Sequence, residues 1–366
     1  MKRFFIFFYV LFFSAFVYSQ KAKGITVIAY YSSGPEKVAQ LPAEKLTHII
    51  FSFGHLKGNH FDIGSKHDST TIQNLVLLKK RNPDLKIILS LGGWGGCETC
   101  SDVFSTPTGR HEFALSVAKA NQYFKSDGID LDWEYPAIEG YPGHAYKPED
   151  RKNFTELIKD LRNTLDKNDE ISFAAGGFKK FIDESVEWTE ITPLLDRINV
   201  MTYDLVSGFS TRTGHHTPLY ATADQAEATD RSIEYLIKSG IPSSKLVLGA
   251  AFYGRMWEEV PSINNGLFQS GKFKEFIDFK NFDKRFDANS GFTYFWDDKA
   301  KAPYLYNTEK KLFVTYDDKK SIGLKTKYAI DHQLDGIMFW ELSCDKDKDG
   351  LLDEIIKAKN LTEKKK

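Results

Sequence analysis

The chain has few cysteines, and charge of neither sign dominates it. Its 366 residues include three cysteines, 49 lysines and arginines, and 50 aspartates and glutamates. So few cysteines exclude a disulfide-framework fold; Cys97 and Cys100 could bridge each other, which would leave Cys344 free. The CxxC pair has no second ligand pair at zinc spacing, so we expect no metal and no cofactor. No stretch dense in lysine and arginine lies outside the termini, which argues against nucleic acid and anionic membranes as partners.

Long hydrophobic runs are absent after the N-terminus. In residues 1–20, Lys2 and Arg3 precede a short aromatic-rich apolar run and then small residues near Ser19. This order is typical of a secretory signal peptide, and we predict cleavage around Ser19 or Gln20. An uncleaved membrane anchor is the alternative, but the run is short for a membrane span. We therefore expect a secreted protein, periplasmic if the host is Gram-negative, with no membrane contact after cleavage.

A glycine-rich phosphate turn is also missing after the first predicted strand, where residues 31–34 read YSSG. Its absence argues against an open doubly wound sheet, which is the second-ranked fold. Eight β-rich runs alternate with amphipathic helical stretches, and eight parallel strands are the number that closes a (β/α)8 TIM barrel, an α/β fold. The predicted strands are 25–31, 47–53, 86–91, 128–134, 171–175, 198–203, 245–253 and 336–341, and the predicted helices are 71–81, 110–125, 149–166, 223–238, 321–332 and 351–358.

The alternation breaks between Trp257 and Asp318, an interval too long for a strand-to-helix loop. Aromatic runs at 292–296 and 304–306 look like strands of a small α+β subdomain. Inserted between strand seven and helix seven, it would form one wall of a cleft on the C-terminal face of the barrel. We therefore divide the chain into a signal peptide (1–20), a barrel (21–257 and 319–360), an insertion subdomain (258–318) and a lysine-rich tail (361–366).

The segment DGIDLDWEYP at residues 127–136 carries acids where a purely structural strand would carry none. Side chains alternate faces along a strand, so Asp130, Asp132 and Glu134 point the same way. A solvated acidic edge is the alternative, but the residues between these acids are apolar, which indicates a strand covered on its other side. Repulsion among the three carboxylates requires that some hold a proton near neutral pH. Such a row supplies a carboxylic acid able to donate a proton at neutral pH.

Aromatic residues make up 14% of the chain, and many fall at the ends of the predicted strands. In barrel enzymes the C-terminal strand ends build the active site. Aromatic rings around a few carboxylates are how proteins hold sugars, because pyranose faces stack on rings while hydroxyls bind charged groups. A packed core is the alternative for each ring alone, and their convergence favours a sugar site. The strand-end residues are Tyr30, Tyr31, Phe51, Phe53, Trp94, Met201, Tyr203, Asp204, Tyr253, Arg255, Trp257 and Trp340.

Several of these motifs resemble those of glycoside hydrolase family 18, the chitinases. Residues 127–134 (DGIDLDWE) match its DxxDxDxE signature, and residues 90–93 (SLGG) match its SxGG motif. Residues 201–204 (MTYD), 253–255 (YGR) and Trp340 within MFWELS match further motifs, and the likeness covers about residues 24–359. The insertion looks like the extra subdomain of the deep-cleft branch. The resemblance implies an enzyme that hydrolyses β-1,4-linked N-acetylglucosamine polymer.

The resemblance also implies roles for the matched residues. Glu134 would be the general acid, and the substrate's 2-acetamido group would replace a protein nucleophile, with retention of configuration. Asp132 would orient the acetamido N–H and share a proton with Asp130, and Tyr203 would donate to the acetamido oxygen. The residues expected to bind substrate are Tyr30, Phe53, Gly93, Trp94, Met201, Asp204, Tyr253, Arg255 and Trp340. Close backbone packing beside the acid row is the favoured role of Gly92 and Gly93.

Three features are interpreted as structural or left open. Asp127 lies out of phase with the acid row, so a structural hydrogen bond is at least as good an explanation as a direct role. Residues 345–350 (DKDKDG) resemble the start of a calcium loop, but the twelfth position is Ile356, so we predict a charged turn. We interpret His216 as part of a structural loop.

Two other functions on the same scaffold are alternatives. A chitin lectin typically lacks the acid, which is present here as Glu134. An endo-β-N-acetylglucosaminidase acting on N-glycan cores or bacterial wall glycan generally lacks the insertion and much of the aromatic lining. We therefore expect chitin or chito-oligosaccharides as the substrate. We also expect the protein to be a monomer.

Overall fold

A computed structural model describes residues 24–363, which form a closed barrel and a second, inserted sheet. The predicted signal peptide lies outside these residues. The strands are β1 Thr26–Tyr31, β2 His48–Lys57, β3 His60–Asp62, β4 Lys86–Gly92, β5 Gly128–Asp132, β6 Glu170–Gly176, β7 Arg197–Met201, β8 Leu246–Ala251, β9 Tyr253–Glu258, β10 Lys272–Asp278, β11 Thr293–Asp297, β12 Ala302–Asn307, β13 Leu312–Thr315 and β14 Gly336–Trp340. The α-helices are α1 Lys66–Leu77, α2 Cys100–Phe104, α3 Pro107–Phe124, α4 Asp150–Thr164, α5 Lys179–Glu184, α6 Trp188–Ile191, α7 Thr229–Lys238, α8 Phe282–Arg285, α9 Lys319–Asp331 and α10 Leu351–Glu363.

Eight parallel strands close into the predicted (β/α)8 TIM barrel. They follow the order β1-β14-β8-β7-β6-β5-β4-β2, and pairing of β1 with β2 closes the ring. Two predicted strands, 128–134 and 198–203, end two residues early, at Asp132 and Met201, where the chain leaves the sheet at the rim. Within residues 24–363, no helix is both long enough and apolar enough to cross a bilayer.

The barrel interior is filled by side chains in layers. One layer is apolar, with buried Ile28, Ile50, Ile88, Val247 and Met338. Two residues further along two of these strands, the inward positions become Tyr30 and Ser90, both buried. Because successive inward positions are two residues apart, the change from apolar to polar places a polar layer near the C-terminal strand ends.

The insertion forms a five-stranded antiparallel sheet in the order β10-β9-β13-β12-β11. This sheet begins at Tyr253, before the boundary predicted at residue 258. Tyr253 and Arg255 therefore lie on β9. The strand pattern had predicted them at the end of the seventh barrel strand, and that prediction was wrong. Only Phe252 separates β8 from β9, so the sheet rises directly from the barrel rim.

A buried ion pair fixes the return from the insertion to the barrel. Lys325 on α9 donates to Asp317 at 2.7 Å, and both side chains are fully buried. Asp317 also accepts from the backbone N–H of Ala251 at 3.1 Å and from the Ser321 hydroxyl at 2.7 Å. The end of β8 and the start of α9 are thus held together below the insertion.

The charged turn at 345–350 serves as the cap of α10. The two carboxylate oxygens of Asp345 accept the backbone N–H groups of Leu351 and Leu352, each at 2.9 Å. These bonds satisfy N–H groups that a helix start leaves without partners. The structure therefore agrees with the prediction of a charged turn at this position.

Candidate active site

The acid row lies at the mouth of the barrel, as the alternation along β5 predicts. Asp130 and Asp132 are buried on the inward face, and Glu134 follows two residues past the strand end. The intervening Trp133 points outward, with its ring 5.6 Å from that of Phe104 on α2. The strand is therefore covered on its other side, and the alternative of a solvated acidic edge does not apply.

Asp130 is surrounded by hydrogen-bond donors from four other strands. One oxygen accepts the Tyr30 hydroxyl at 3.1 Å and the Ser90 hydroxyl at 2.9 Å. The other accepts the Ser172 hydroxyl at 2.7 Å and the Asn199 amide at 3.1 Å. Burial raises the pKa of Asp130, and these donors act against that rise because they stabilise the charged form. A proton shared between Asp130 and Asp132 is consequently favoured on Asp132.

Asp132 has a different environment. Its Oδ1 atom is buried and has no hydrogen-bond partner among residues 24–363. Burial raises the pKa of Asp132 well above its usual range, and the nearby charges of Glu134 and Asp130 raise it further. Since the three carboxyls interact, they titrate as one coupled system. Asp132 thus combines a favoured neutral form with an oxygen that is free to accept a donor from a ligand.

Glu134 is half-buried and carries a carboxyl poised near neutral pH. Burial raises its pKa to about 7; a hydrogen bond from Tyr135 lowers the pKa and the charge of Asp204 raises it. Efficient general acids have a pKa close to the working pH. Glu134 is therefore protonated below about pH 7 and able to donate at the barrel mouth.

Three predicted aromatic residues pack together beside the acids. The Phe53 and Trp340 rings stack with centroids 5.6 Å apart, and the Tyr30 ring lies 5.8 Å from Trp340. Tyr203 is buried near Met338, and burial together with the charge of Asp132 raises the pKa of Tyr203 well above its usual range. Tyr203 therefore keeps its proton and remains a hydrogen-bond donor. Trp340 is only partly buried and provides an apolar ring surface at the mouth.

Asp204 anchors the insertion to the barrel mouth. It accepts the Tyr253 hydroxyl at 2.5 Å and forms a two-point ion pair with Arg255, with N–O distances of 2.6 and 2.5 Å. Burial acts to raise the pKa of Asp204, but His216 and Arg255 together hold it well below its usual range. His216 is fully buried, and its Nδ1 lies 3.4 Å from Asp204. The loop that carries His216 therefore contacts a predicted site residue.

Trp94 lies at the outer part of the mouth, where it is 47% exposed. Its ring centroid is 5.4 Å from Tyr141 and 6.0 Å from Phe209, two exposed aromatics that the motifs did not identify. The preceding Gly93 packs tightly, since a Cβ there would lie 2.3 Å from the Phe53 ring. A Cβ on Gly92 would lie 2.3 Å from the Asp132 carbonyl oxygen, which agrees with close packing beside the acid row.

Sequence reasoning missed Ser172 and Asn199, two of the four donors to Asp130. Each interrupts an apolar strand, ISFAA and INVM, at a position where alternation points inward. That signal was present, but only the closed barrel brings these strands next to β5. The remaining predicted residue, Met201, is buried at the end of β7 among the residues that fill the barrel interior.

Two further sequence features have clear positions. Cys97 and Cys100 form a disulfide in the segment after β4, and Cys344 is free. Asp127 accepts the Ile87 backbone N–H at 2.7 Å and pairs with Lys79, so it holds the start of β5 rather than the mouth. Within the part of the chain that the structure describes, no cluster of three or more histidine, cysteine or acidic side chains could hold a metal ion.

Comparison with known sequences agrees with this geometry. The profile described as Glycosyl hydrolases family 18 matches residues 26–345. The chain belongs to this family. Chitinase A1 of Niallia circulans is 36% identical over 305 residues, which are 76% of this chain and 43% of that protein. Chitinase B of Serratia marcescens is 29% identical over 85% of this chain and 75% of its own length. The chain thus spans less than half of the first of these relatives.

Two solved structures share the fold over most of this chain. A glycoside hydrolase family 18 N-acetylglucosaminidase from Paenibacillus barengoltzii superposes with a TM-score of 0.83 and 37% identity, covering 91% of this chain and 99% of that one. Chitinase ChiA74 from Bacillus thuringiensis has a TM-score of 0.87 and 28% identity, covering 92% of this chain and 70% of that one. This chain therefore has the same barrel fold as these two solved glycosidase structures.

Proposed function

We propose that this protein hydrolyses β-1,4-linked N-acetylglucosamine chains, chitin and its oligosaccharides, with Glu134 as general acid and the substrate's 2-acetamido group as nucleophile. The observation that carries the proposal is the pair formed by a proton-donating Glu134 and a buried Asp132 whose Oδ1 has no donor within residues 24–363. An acetamido N–H is a donor of the kind that this oxygen lacks. The names of the relatives, chitinases and an N-acetylglucosaminidase, support the same sugar.

The first chemical step breaks the bond between C1 and the glycosidic oxygen. Glu134 gives its proton to that oxygen. The sugar that carries the protonated oxygen then leaves as an alcohol. The acetamido carbonyl oxygen forms a bond to C1 from the opposite face, giving a cyclic oxazolinium ion. Placing a nucleophile inside the substrate makes the attack intramolecular, which replaces the second carboxylate of ordinary retaining enzymes.

The second step regenerates the Glu134 acid and the acetamido group of the substrate. The Glu134 carboxylate takes a proton from water, and the water oxygen attacks C1 as the ring of the oxazolinium ion opens. The two displacements leave C1 with its original β configuration. Asp132 accepts the acetamido N–H and stabilises the positive charge, while the donors around Asp130 keep the negative charge of the pair in place.

Other residues hold the sugar chain. Tyr203 donates to the acetamido oxygen, and Trp340 forms a floor on which the apolar face of the reacting sugar stacks. Arg255, Tyr253 and Asp204 bind neighbouring hydroxyl or acetamido groups, and Trp94 stacks against a sugar nearer the end of the cleft. These roles follow from the family motifs and from where these side chains lie around the acids.

Incubation with colloidal chitin, with a glycoprotein and with bacterial wall glycan tests the substrate. We expect soluble oligosaccharides from chitin and no release of glycans from the other two. Release of intact N-glycans would instead support an endo-acting glycoprotein enzyme. Binding to chitin without any soluble product would support a lectin.

A second candidate is removal of single N-acetylglucosamine units from chain ends. The observation that favours it is the 37% identity to the P. barengoltzii N-acetylglucosaminidase, which this chain covers almost completely. The products of the pentasaccharide separate the two, since an exo enzyme yields the monosaccharide from the first turnover. A mixture of di- and trisaccharides would favour chitinase action.

Export to the cell exterior or periplasm remains part of the proposal. The basic and apolar order of residues 1–20 supports it. The Cys97–Cys100 disulfide also supports it, because disulfides persist in oxidising compartments.

Activity should fall as pH rises through about 7, because Glu134 must be protonated to act and its pKa is raised to about 7. The general acid is present at lower pH and is lost above this value, so kcat/KM forms an alkaline limb with its midpoint near pH 7. A profile measured on a soluble oligosaccharide checks this. A midpoint near the ordinary glutamate pKa would contradict the environment described for Glu134.

A further inference from the structure

One edge strand of the insertion places two phenylalanines on the face that looks onto the barrel mouth. In the β9–β10 pair, Phe273 lies opposite Trp257 and Phe276 lies opposite Arg255. The two phenylalanines are three positions apart, so simple alternation would put them on opposite faces. The register shifts between Phe273 and Glu275, which adds one residue to β10. This β-bulge turns both rings to the same face as Arg255.

The contacts confirm that these rings share one surface. The Phe273 and Phe276 ring centroids are 5.1 Å apart. The Arg255 guanidinium lies over Phe276 at 4.4 Å from its centroid, and the same guanidinium binds Asp204. The Tyr253 ring is 6.0 Å from Phe276. Phe276 is therefore continuous with residues of the candidate active site.

The same surface reaches the loop after β7. A Cβ on Gly208 would lie 3.0 Å from Arg255 and 3.2 Å from Phe273, so this glycine lets the loop approach the insertion closely. Phe209, the next residue, contacts Trp94 on the other side. Gly208 and Phe209 thus lie between two pairs of rings, with Trp94 in contact with Phe209 on one side and Phe273 in contact with Phe276 on the other.

Phe276 is 58% exposed although the Arg255 guanidinium covers one side of its ring. Single exposed apolar residues are common on proteins and need no function by themselves. Here, however, the bulge gives the residue its direction, and its neighbours are Arg255 and Tyr253. An aromatic ring with one face covered by a guanidinium and the other open presents a flat apolar surface to the cleft.

We propose that Phe276 is a sugar-binding residue that stacks on an N-acetylglucosamine ring of a long substrate, at a subsite formed by the insertion beyond the Asp204–Arg255 pair. This inference rests on the proposed function and adds to it a residue that selects for chain length. Short oligosaccharides that end before this subsite do not contact the ring. Longer chains gain the stacking contact.

The test compares Phe276→Ala with Phe276→Trp and with the control Tyr123→Ala. Tyr123 lies on the outer helix α3 and is 71% exposed, so the control also removes an exposed ring. We expect kcat/KM on the N-acetylglucosamine hexasaccharide to fall about tenfold in Phe276→Ala, with a smaller loss on the trisaccharide. Phe276→Trp should retain the preference for the longer chain, and Tyr123→Ala should match the wild type on both.

Direct binding gives a second readout that does not depend on turnover. In a Glu134→Gln background, calorimetry should show that Phe276→Ala weakens the hexasaccharide more than the trisaccharide. Equal losses at both lengths, or no loss, would overturn the assignment of Phe276. A wild-type protein that cleaves no N-acetylglucosamine oligosaccharide would instead overturn the proposed function on which this inference rests.

Discussion

Glu134→Gln should lower kcat on chito-oligosaccharides by about a thousandfold while leaving their binding intact. Glutamine keeps the shape of the side chain but cannot give a proton to the glycosidic oxygen. The neighbouring carboxyl, Asp132, is proposed to contact the acetamido group instead of the glycosidic oxygen, so we do not expect it to replace the acid. Steady-state kinetics and calorimetric Kd values on the same oligosaccharide measure the two effects separately.

Glu139→Gln provides the matched control for this change. Glu139 is an exposed carboxylate in the segment that follows β5, five positions after Glu134. The control alters net charge in the same way, and we expect wild-type kcat. A Glu134→Gln enzyme with normal turnover, or one that loses binding and activity in parallel, would refute the assignment of Glu134 as the acid.

Asp132→Asn should lower kcat by about a hundredfold or more. The buried carboxyl is proposed to accept the acetamido N–H and to stabilise the positive charge that develops on the substrate. An amide of the same size cannot lose a proton, so it cannot take on a negative charge as that positive charge develops. The loss should appear mainly in kcat, because the charge develops in the transition state rather than in the bound substrate.

The loss of kcat should not come from a change in the pKa of Glu134. Burial is the largest cause of that raised pKa and the charge of Asp204 adds to it, so the midpoint of the alkaline limb should stay near pH 7 in Asp132→Asn. Asp127→Asn is the control, because Asp127 contacts Ile87 and Lys79 at the opposite end of β5. We expect that control to reduce stability and to leave both kcat and the pH midpoint in place. An Asp132→Asn enzyme with wild-type kcat would contradict the role proposed for Asp132.

The barrel could be predicted from the sequence because each strand is a short apolar run separated from the next by a helical pattern. The beginning of the insertion could not be located in the same way. Residues 245–257 read KLVLGAAFYGRMW, a largely apolar run with no polar turn residue between Lys245 and Arg255. The change from the parallel barrel to the antiparallel sheet occurs at Phe252, and only tertiary pairing reveals it.

The acid row could be predicted because alternation along one strand is a local property. The donors to Asp130 depend on four other strands, so the partners of this carboxyl become visible only when the ring closes. The direction of Phe276 depends on a bulge, which reverses the face expected from residue spacing. Local patterns thus located the acid row, while the side chains that surround it became visible only in the fold.

The anomeric form of the first product tests the central claim most directly. Proton NMR during the first moments of pentasaccharide hydrolysis, before mutarotation, reads the configuration of the newly formed reducing end. Attack by the acetamido oxygen followed by water predicts the β anomer. Initial release of the α anomer would mean that water displaces the leaving group in a single step, and the substrate-assisted mechanism would be wrong.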